Sequence, residues 1–169
     1  MLSAMDVSNY FFAKDPYREI FNLNLIERNG RSFYEGNAKI NKFLHLAQNI
    51  YIAKTGELLF SDDLYAYDNG AVALDIVDKY AIIQRKEISK PNFGEVVNDF
   101  LDRIFYMLKD ADVDELIELS HQDEEWVEKS GHYHKQSQKM DSASRIEDYK
   151  QQYEDALMIM YRMDMSEDD

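Results

Sequence analysis

Asn37-Ala-Lys-Ile-Asn-Lys-Phe-Leu-His-Leu-Ala-Gln-Asn-Ile-Tyr-Ile-Ala-Lys54 is the stretch on which the fold turns. Ile40, Phe43, Leu44, Ala47, Ile50 and Tyr51 recur at steps of three and four, the period that lines one face of an α-helix. Asn37 is a residue type that satisfies the free N–H groups of a first turn, so the spacing predicts a helix capped there and stopped by Thr55-Gly56. Downstream, Leu58 to Tyr67 has no helical stripe and reads as extended or irregular, closed by the turn Asp68-Asn69-Gly70. A shorter helix is expected from Ala71 to about Lys79. Past the break at Lys90-Pro91, Asn92 and Glu95 have the spacing of a capping pair ahead of the apolar face Val96, Val97, Phe100, Leu101, Ile104, Phe105 and Leu108.

The same capping signature recurs twice. Asp112 with Glu115 opens a helix through about Ser120, and Ser144 with Glu147 opens a last one that turns Ile146, Tyr149, Tyr153, Ala156, Leu157 and Met160 inward. Upstream, a helix from Asp6 to Lys14 stops at Asp15-Pro16. Turn signals at Asn29-Gly30 and Glu35-Gly36 then bracket a short strand, Arg31 to Tyr34. With two prolines and six glycines in 169 residues, long helices survive and strands are few. The fold class is all-α: a mainly helical single domain over 1–169, with room for one small β-element at 31–34 or 58–67.

Composition narrows the function. At 45% hydrophobic and 13% aromatic the chain is too apolar to stay disordered. Without cysteine, thiol catalysis, disulfides and thiolate zinc sites are excluded. Met1 to Tyr10 lacks a basic stretch followed by an apolar core, and no apolar run approaches the roughly 20 residues that span a bilayer, so a soluble, cytoplasmic protein is expected. Residues 110–169 hold 18 acids and 6 bases, a net of −12, against −2 for residues 1–109. Such a surface repels phosphate backbones, so no direct nucleic-acid binding is expected, and it attracts a basic partner. Residues 164–169 read as an acidic, disordered tail.

Chemistry is hard to find. His132 and His134 flank Tyr133 beside Gly131, a spacing that suits a metal on a strand, but no third ligand stands at a diagnostic distance. His45 sits among core positions and reads as a satisfied histidine. Asp62-Asp63, Asp112 with Asp114, and Asp123-Glu124-Glu125 are carboxylate groups of the kind that hold Mg²⁺ when they converge; in so acidic a chain they read as solvated. No glycine-rich phosphate loop, nucleophile elbow or His-Glu-x-x-His is present. The expectation is no enzyme, no metal and no cofactor. Tyr10-Phe11-Phe12 and Leu64-Tyr65-Ala66-Tyr67 are richer in aromatics than a minimal core needs, and packing is their first reading.

Two blocks carry a family resemblance. The first is Lys42-Phe-Leu-His-Leu-Ala-Gln48, Gly56-Glu-Leu-Leu-Phe60, Asp62-Asp-Leu-Tyr-Ala-Tyr67 and Gly70-Ala-Val72; the second is Leu119-Ser-His121 followed by Trp126. In order and spacing they resemble the Panacea domain of SocA-like antitoxins and phage-associated GepA-like proteins. Its pattern is a Lys-Leu-x-Tyr-x-Ala-Gln helix, a Gly-x-Pro-Leu-Phe turn, Glu-Ala-Trp and Gly-Pro-Val segments, then Leu-Ser/Thr-His and a Trp. Leu58 and Ala71 replace prolines of the pattern, Tyr67 its middle Trp, and Glu125 the Pro before the last Trp. Residues 15–36 read as an insertion, the excess length lying from Arg18 to Gly36.

The resemblance implies a helical antitoxin that neutralises a partner protein by stoichiometric binding, the partner being a cognate toxin or a host defence protein, with a basic surface expected. The alternative is a phage-borne acidic inhibitor that mimics nucleic acid against a host defence nuclease. Asp62, Asp63, Tyr65, Tyr67, His121 and Trp126 are the partner-binding candidates, and Phe60, His121 and Trp126 are expected to join the two blocks in one cluster.

Overall fold

Helix α2 (Glu35–Thr55), built from the deciding stretch, runs through the middle of the molecule. The computed structural model describes residues 1–28, 30–130 and 138–167. Every side chain from Ile40 to Ile50 is buried, polar ones included, so α2 is covered all round rather than along one stripe. Packed against it are α1 (Ala4–Ala13), α3 (Leu74–Gln84), α4 (Glu95–Leu108), α5 (Val113–His121), α7 (Ile146–Gln152) and α8 (Glu154–Glu167). Phe43 is the hub of the core, meeting Phe11 at 5.5 Å, Phe21 at 5.2 Å and Phe105 at 6.2 Å between ring centroids, all edge to face. Tyr10, Phe11 and Phe12 are all fully buried, so that aromatic run serves packing. α6 (Glu124–Ser130) lies outside this ring, against α5.

Both places suggested for a β-element carry one. β1 (Leu25–Arg28) and β2 (Arg31–Tyr34) form an antiparallel hairpin with Ile26 opposite Phe33. β3 (Tyr65–Tyr67) is the middle of a three-stranded antiparallel sheet between β4 (Gly70–Val72) and β5 (Gln138–Lys139). The fold is thus mainly helical with small strands, as expected.

Several helix ends differ from expectation, some through local caps and some because a distant group satisfies the backbone. The first helix begins at Ala4 because Ser3 and Asp6 form a reciprocal capping box. It stops where the Asp15 carboxylate accepts the N–H groups of Glu19, Ile20 and Phe21, and where Arg18 donates to the carbonyls of Phe12, Asp15, Gln84 and Lys86. Asn37 is not the cap of α2. The helix starts at Glu35, whose N–H donates to the Asn24 carbonyl at 2.7 Å, while Asn37 lies inside and accepts from Asn41. Gly36 permits that docking: a Cβ there would sit 1.9 Å from Tyr80 Oη and 2.2 Å from Asn22 N. The helix expected at Ala71 begins at Leu74, because Gly70–Val72 pairs with β3.

Asn92 does not cap α4; Gly94 precedes it, and Asn92 Oδ1 accepts from Gly94 N and Asn98 Nδ2. Asp112 with Glu115 forms the expected box, both arms present. Ser144 does not: it lies in a 3₁₀ turn, Ser142–Arg145, and donates to the Asp141 carbonyl. The last apolar stripe is divided at Tyr153 into α7 and α8. α8 reaches Glu167, within the stretch read as a tail. Asn29, His132, His134 and residues 168–169 lie outside the described residues.

Candidate functional site

Five polar side chains on the buried part of α2 define the site: Asn41, Lys42, His45, Gln48 and Asn49 are each 3% exposed or less. A buried polar group without a partner is expensive, so each needs one. Four of them reach into three non-helical junctions. Asn41 Oδ1 accepts the Ala73 N–H at 2.9 Å, which fixes the step from β4 into α3. Gln48 Oε1 accepts the N–H groups of Leu59 and Phe60, and its Nε2 donates to the Phe60 carbonyl, clamping the turn after α2. His45 and Asn49 both engage Asp123, between α5 and α6.

Asp123 is fully buried, as is Glu125, against the expectation that this acidic run is solvated. One Asp123 oxygen accepts from His45 Nε2 at 2.7 Å and Asn49 Nδ2 at 2.9 Å; the other accepts from Tyr149 Oη at 2.8 Å and Glu125 N at 2.9 Å. Burial alone would raise this carboxyl, but the hydrogen bond and charge of His45, with Asn49 and Tyr149, outweigh it and hold it below the usual carboxylate range. An ionised carboxylate only accepts, so His45 Nε2 carries the proton. Asn49 also donates to Tyr153 Oη at 3.0 Å. Glu125 accepts from Asp141 N and Arg145 Nε, and Arg145 bridges on to Glu128. His45 and Asp123 have the look of a catalytic dyad, yet both side chains are 0% exposed, and no substrate atom can reach them.

Lys42 is the exception among the five. It is 2% exposed and makes no ion pair or hydrogen bond among the described residues. Burial pushes its amine down to about 7. Its tip lies against Gly70, where a Cβ would come within 2.7 Å of Nζ. Beyond it, His121 stacks on Trp126 at 3.9 Å with the rings 6° apart. Burial and then the Lys42 charge push the His121 imidazole down to about 4, against a backbone hydrogen bond with Asp68, so it is neutral at physiological pH. Trp126 is 3% exposed, and its Nε1 donates to the Tyr67 carbonyl at 2.8 Å. Phe60 and Trp126 fall in the same continuous core.

The remaining candidates sit nearer the surface. Asp62 accepts the Ala4 N–H and so holds the start of α1; Asp63 is exposed, 3.9 Å from Lys139 on the neighbouring strand. Tyr65 and Tyr67 are half-buried on β3, whereas Leu64 before them and Ala66 between them are buried. Asp62, Asp63 and Asp141 line one small cavity of about 80 Å³. A groove of about 670 Å³ beside Tyr106 and Ile159 touches none of the motif residues. Among the described residues no group of three or more His, Asp or Glu could hold a metal ion, and no helix is long and apolar enough to cross a membrane.

Sequence reasoning found Lys42, His45 and Gln48 as motif letters but missed Asp123, Asn49 and Glu125. Asn49 meets Asp123 and Tyr153, 74 and 104 residues away, and no local spacing signals that. Compared with known families, residues 40–127, just over half of the chain, match the model described as antitoxin SocA-like, Panacea domain. None of the curated proteins or solved structures compared with the chain matches it.

Proposed function

We propose a function from one premise: the chain belongs to the family of SocA-like antitoxins, the Panacea domain. Antitoxin-like activity is the general role that membership supports, and a toxin protein is the kind of partner it suggests. The finer reading is that this protein neutralises its toxin by stoichiometric binding in the cytoplasm, covering a basic surface. Family membership carries the proposal, and the charge distribution supports its direction. Most acids of α5, α6 and α7 are exposed, and Arg145 joins α6 to α7 through Glu125, Glu128 and Asp148. β3 adjoins α6, which brings Asp63 and Tyr65 to the edge of that acidic surface.

In this reading Asp62, Asp63, Tyr65 and Tyr67 meet the partner, and His121 and Trp126 hold the strand that presents them. Acidic groups speed the encounter, while a few aromatic anchors hold the complex. The test is to express the product of the adjacent gene, with and without this protein, and then titrate the purified pair. Relief of toxicity with an endpoint at a fixed molar ratio is expected. Relief at far lower ratios, or no complex, refutes neutralisation by blocking.

A further inference from the structure

Between the first half of α2, β2, the β3–β4 hairpin and the start of α3 lies a cavity of about 260 Å³. Phe33, Val72, Leu74 and Val77 give it apolar walls, and Lys42 lines it from α2. Arg31 and Asp68 stand on its lining as an ion pair at 3.5 Å, so the second cation of the cavity is already matched. The buried carboxylate of Asp123 is engaged by His45, Asn49 and Tyr149. Asp78 is the other acid of the lining and pairs with no cation among the described residues. Lys42 therefore projects a buried amine into a partly open, mostly apolar space and forms no ion pair there among the described residues.

We propose that this cavity binds a small monocarboxylic acid, its apolar body between Phe33, Val72, Leu74 and Val77 and its carboxylate on Lys42 Nζ. One unmatched cation and apolar walls suit a singly charged carboxylate; a phosphate dianion calls for several donors. The carboxylate returns to Lys42 the counter-charge that burial removed, so binding restores the ammonium. With the free amine near 7, binding at mildly alkaline pH takes up a proton. The titratable groups facing Lys42 are His45 on its own helix, His121 on α5, and Arg31, Asp68 and Asp78 around the cavity; His121 stays neutral across this range. The inference stands on the isolated chain and is independent of the antitoxin reading.

The test uses the full chain with hexanoate and benzoate as probes, hexanamide and benzamide as uncharged counterparts, and inorganic phosphate as the competing anion. Binding is read from the backbone amide resonance of Gly70 and from calorimetry in two buffers of different ionisation heat. Expected results are saturable shifts with the acids, at least about tenfold weaker binding of the amides, and uptake of about one proton at pH 8 to 9. Lys42→Met should lose the acid preference, and Ala38→Leu, which fills the cavity but keeps the amine, should lose binding. Equal affinity for acid and amide, tighter binding of phosphate, no saturable shift, or native-like binding by either variant would overturn the proposal.

Discussion

Replacing Lys42 by Met should stabilise the protein, and by an amount that depends on pH. Burial displaces the amine from 10.5 to about 7 in the folded state, whereas the unfolded chain restores the ordinary value. Each factor of ten in that equilibrium is about 1.4 kcal/mol, so keeping Lys42 inside costs on the order of 5 kcal/mol wherever both states hold the proton. The cost is full below about pH 7 and fades as pH rises, because the folded protein has then shed the proton that the unfolded chain still binds. Between pH 6 and pH 9 it should relax by about 2–3 kcal/mol. Met keeps the unbranched apolar body and removes the charge. Urea unfolding followed by the emission of the buried Trp126, in buffers free of carboxylates, reads the difference between variant and native protein. That difference should be largest near pH 6 and shrink steadily toward pH 10. A difference that is flat across pH, or a variant less stable than the native chain at pH 6, would refute the assignment of Lys42 as an uncompensated buried amine.

Trp126→Ala should cost about 3–5 kcal/mol, and native Trp126 should emit at the blue end of the indole range; red-shifted native emission would contradict its burial. Asp123→Asn should cost roughly 3–5 kcal/mol by denaturant unfolding at neutral pH, because it removes the buried carboxylate that accepts from His45, Asn49 and Tyr149. Since folding holds the Asp123 carboxyl below its ordinary range, native stability from this group is full above about pH 4 and is lost as pH falls further; the Asn variant should lack that limb of the acid profile. Gly70→Ala adds a side chain at φ +124° against the Lys42 tip, and should destabilise by about 2–4 kcal/mol, with Lys42→Ala recovering part of the loss in a double-mutant cycle. Against the proposed toxin partner, charge reversal at Asp63 and added salt should slow association severalfold, while Tyr65→Ala should speed dissociation, as read by surface-based kinetics.

The helical class, the places where a small β-element could stand and the capped start of α5 were legible because each is written in local spacing. Asp112 and Glu115 stand three apart and need nothing else. The ends that were misplaced depend on groups the local window does not contain. Glu35 can begin α2 without a capping side chain because Asn24, across the β1–β2 hairpin, supplies a carbonyl. Ala71 leaves the helix because Tyr65–Tyr67 offers it a strand partner. In both cases tertiary hydrogen bonds outcompete a weak local preference. α6 escaped notice because its seven residues are mostly polar and one of its buried side chains is a glutamate.

The site shows the same limit more sharply. On a helix buried all round, a polar side chain at the i+1 and i+5 positions has the same spacing as a solvated face, so Asn41, Lys42, His45, Gln48 and Asn49 cannot be told from surface groups by period. What separates them is the company they keep. Asn41, His45, Gln48 and Asn49 each close a hydrogen bond to a junction that would otherwise leave backbone or carboxylate groups orphaned, even though His45 Nδ1 and Asn49 Oδ1 have no partner among the described residues. Lys42 closes none among the described residues, and a methionine there would serve packing better. A chain whose whole stability is on the order of 5–15 kcal/mol gains nothing in the folded state alone from a buried cation that costs a third of it or more. No counter-charge comes from the described residues, and the cavity beside Lys42 is where the proposed carboxylate would supply it.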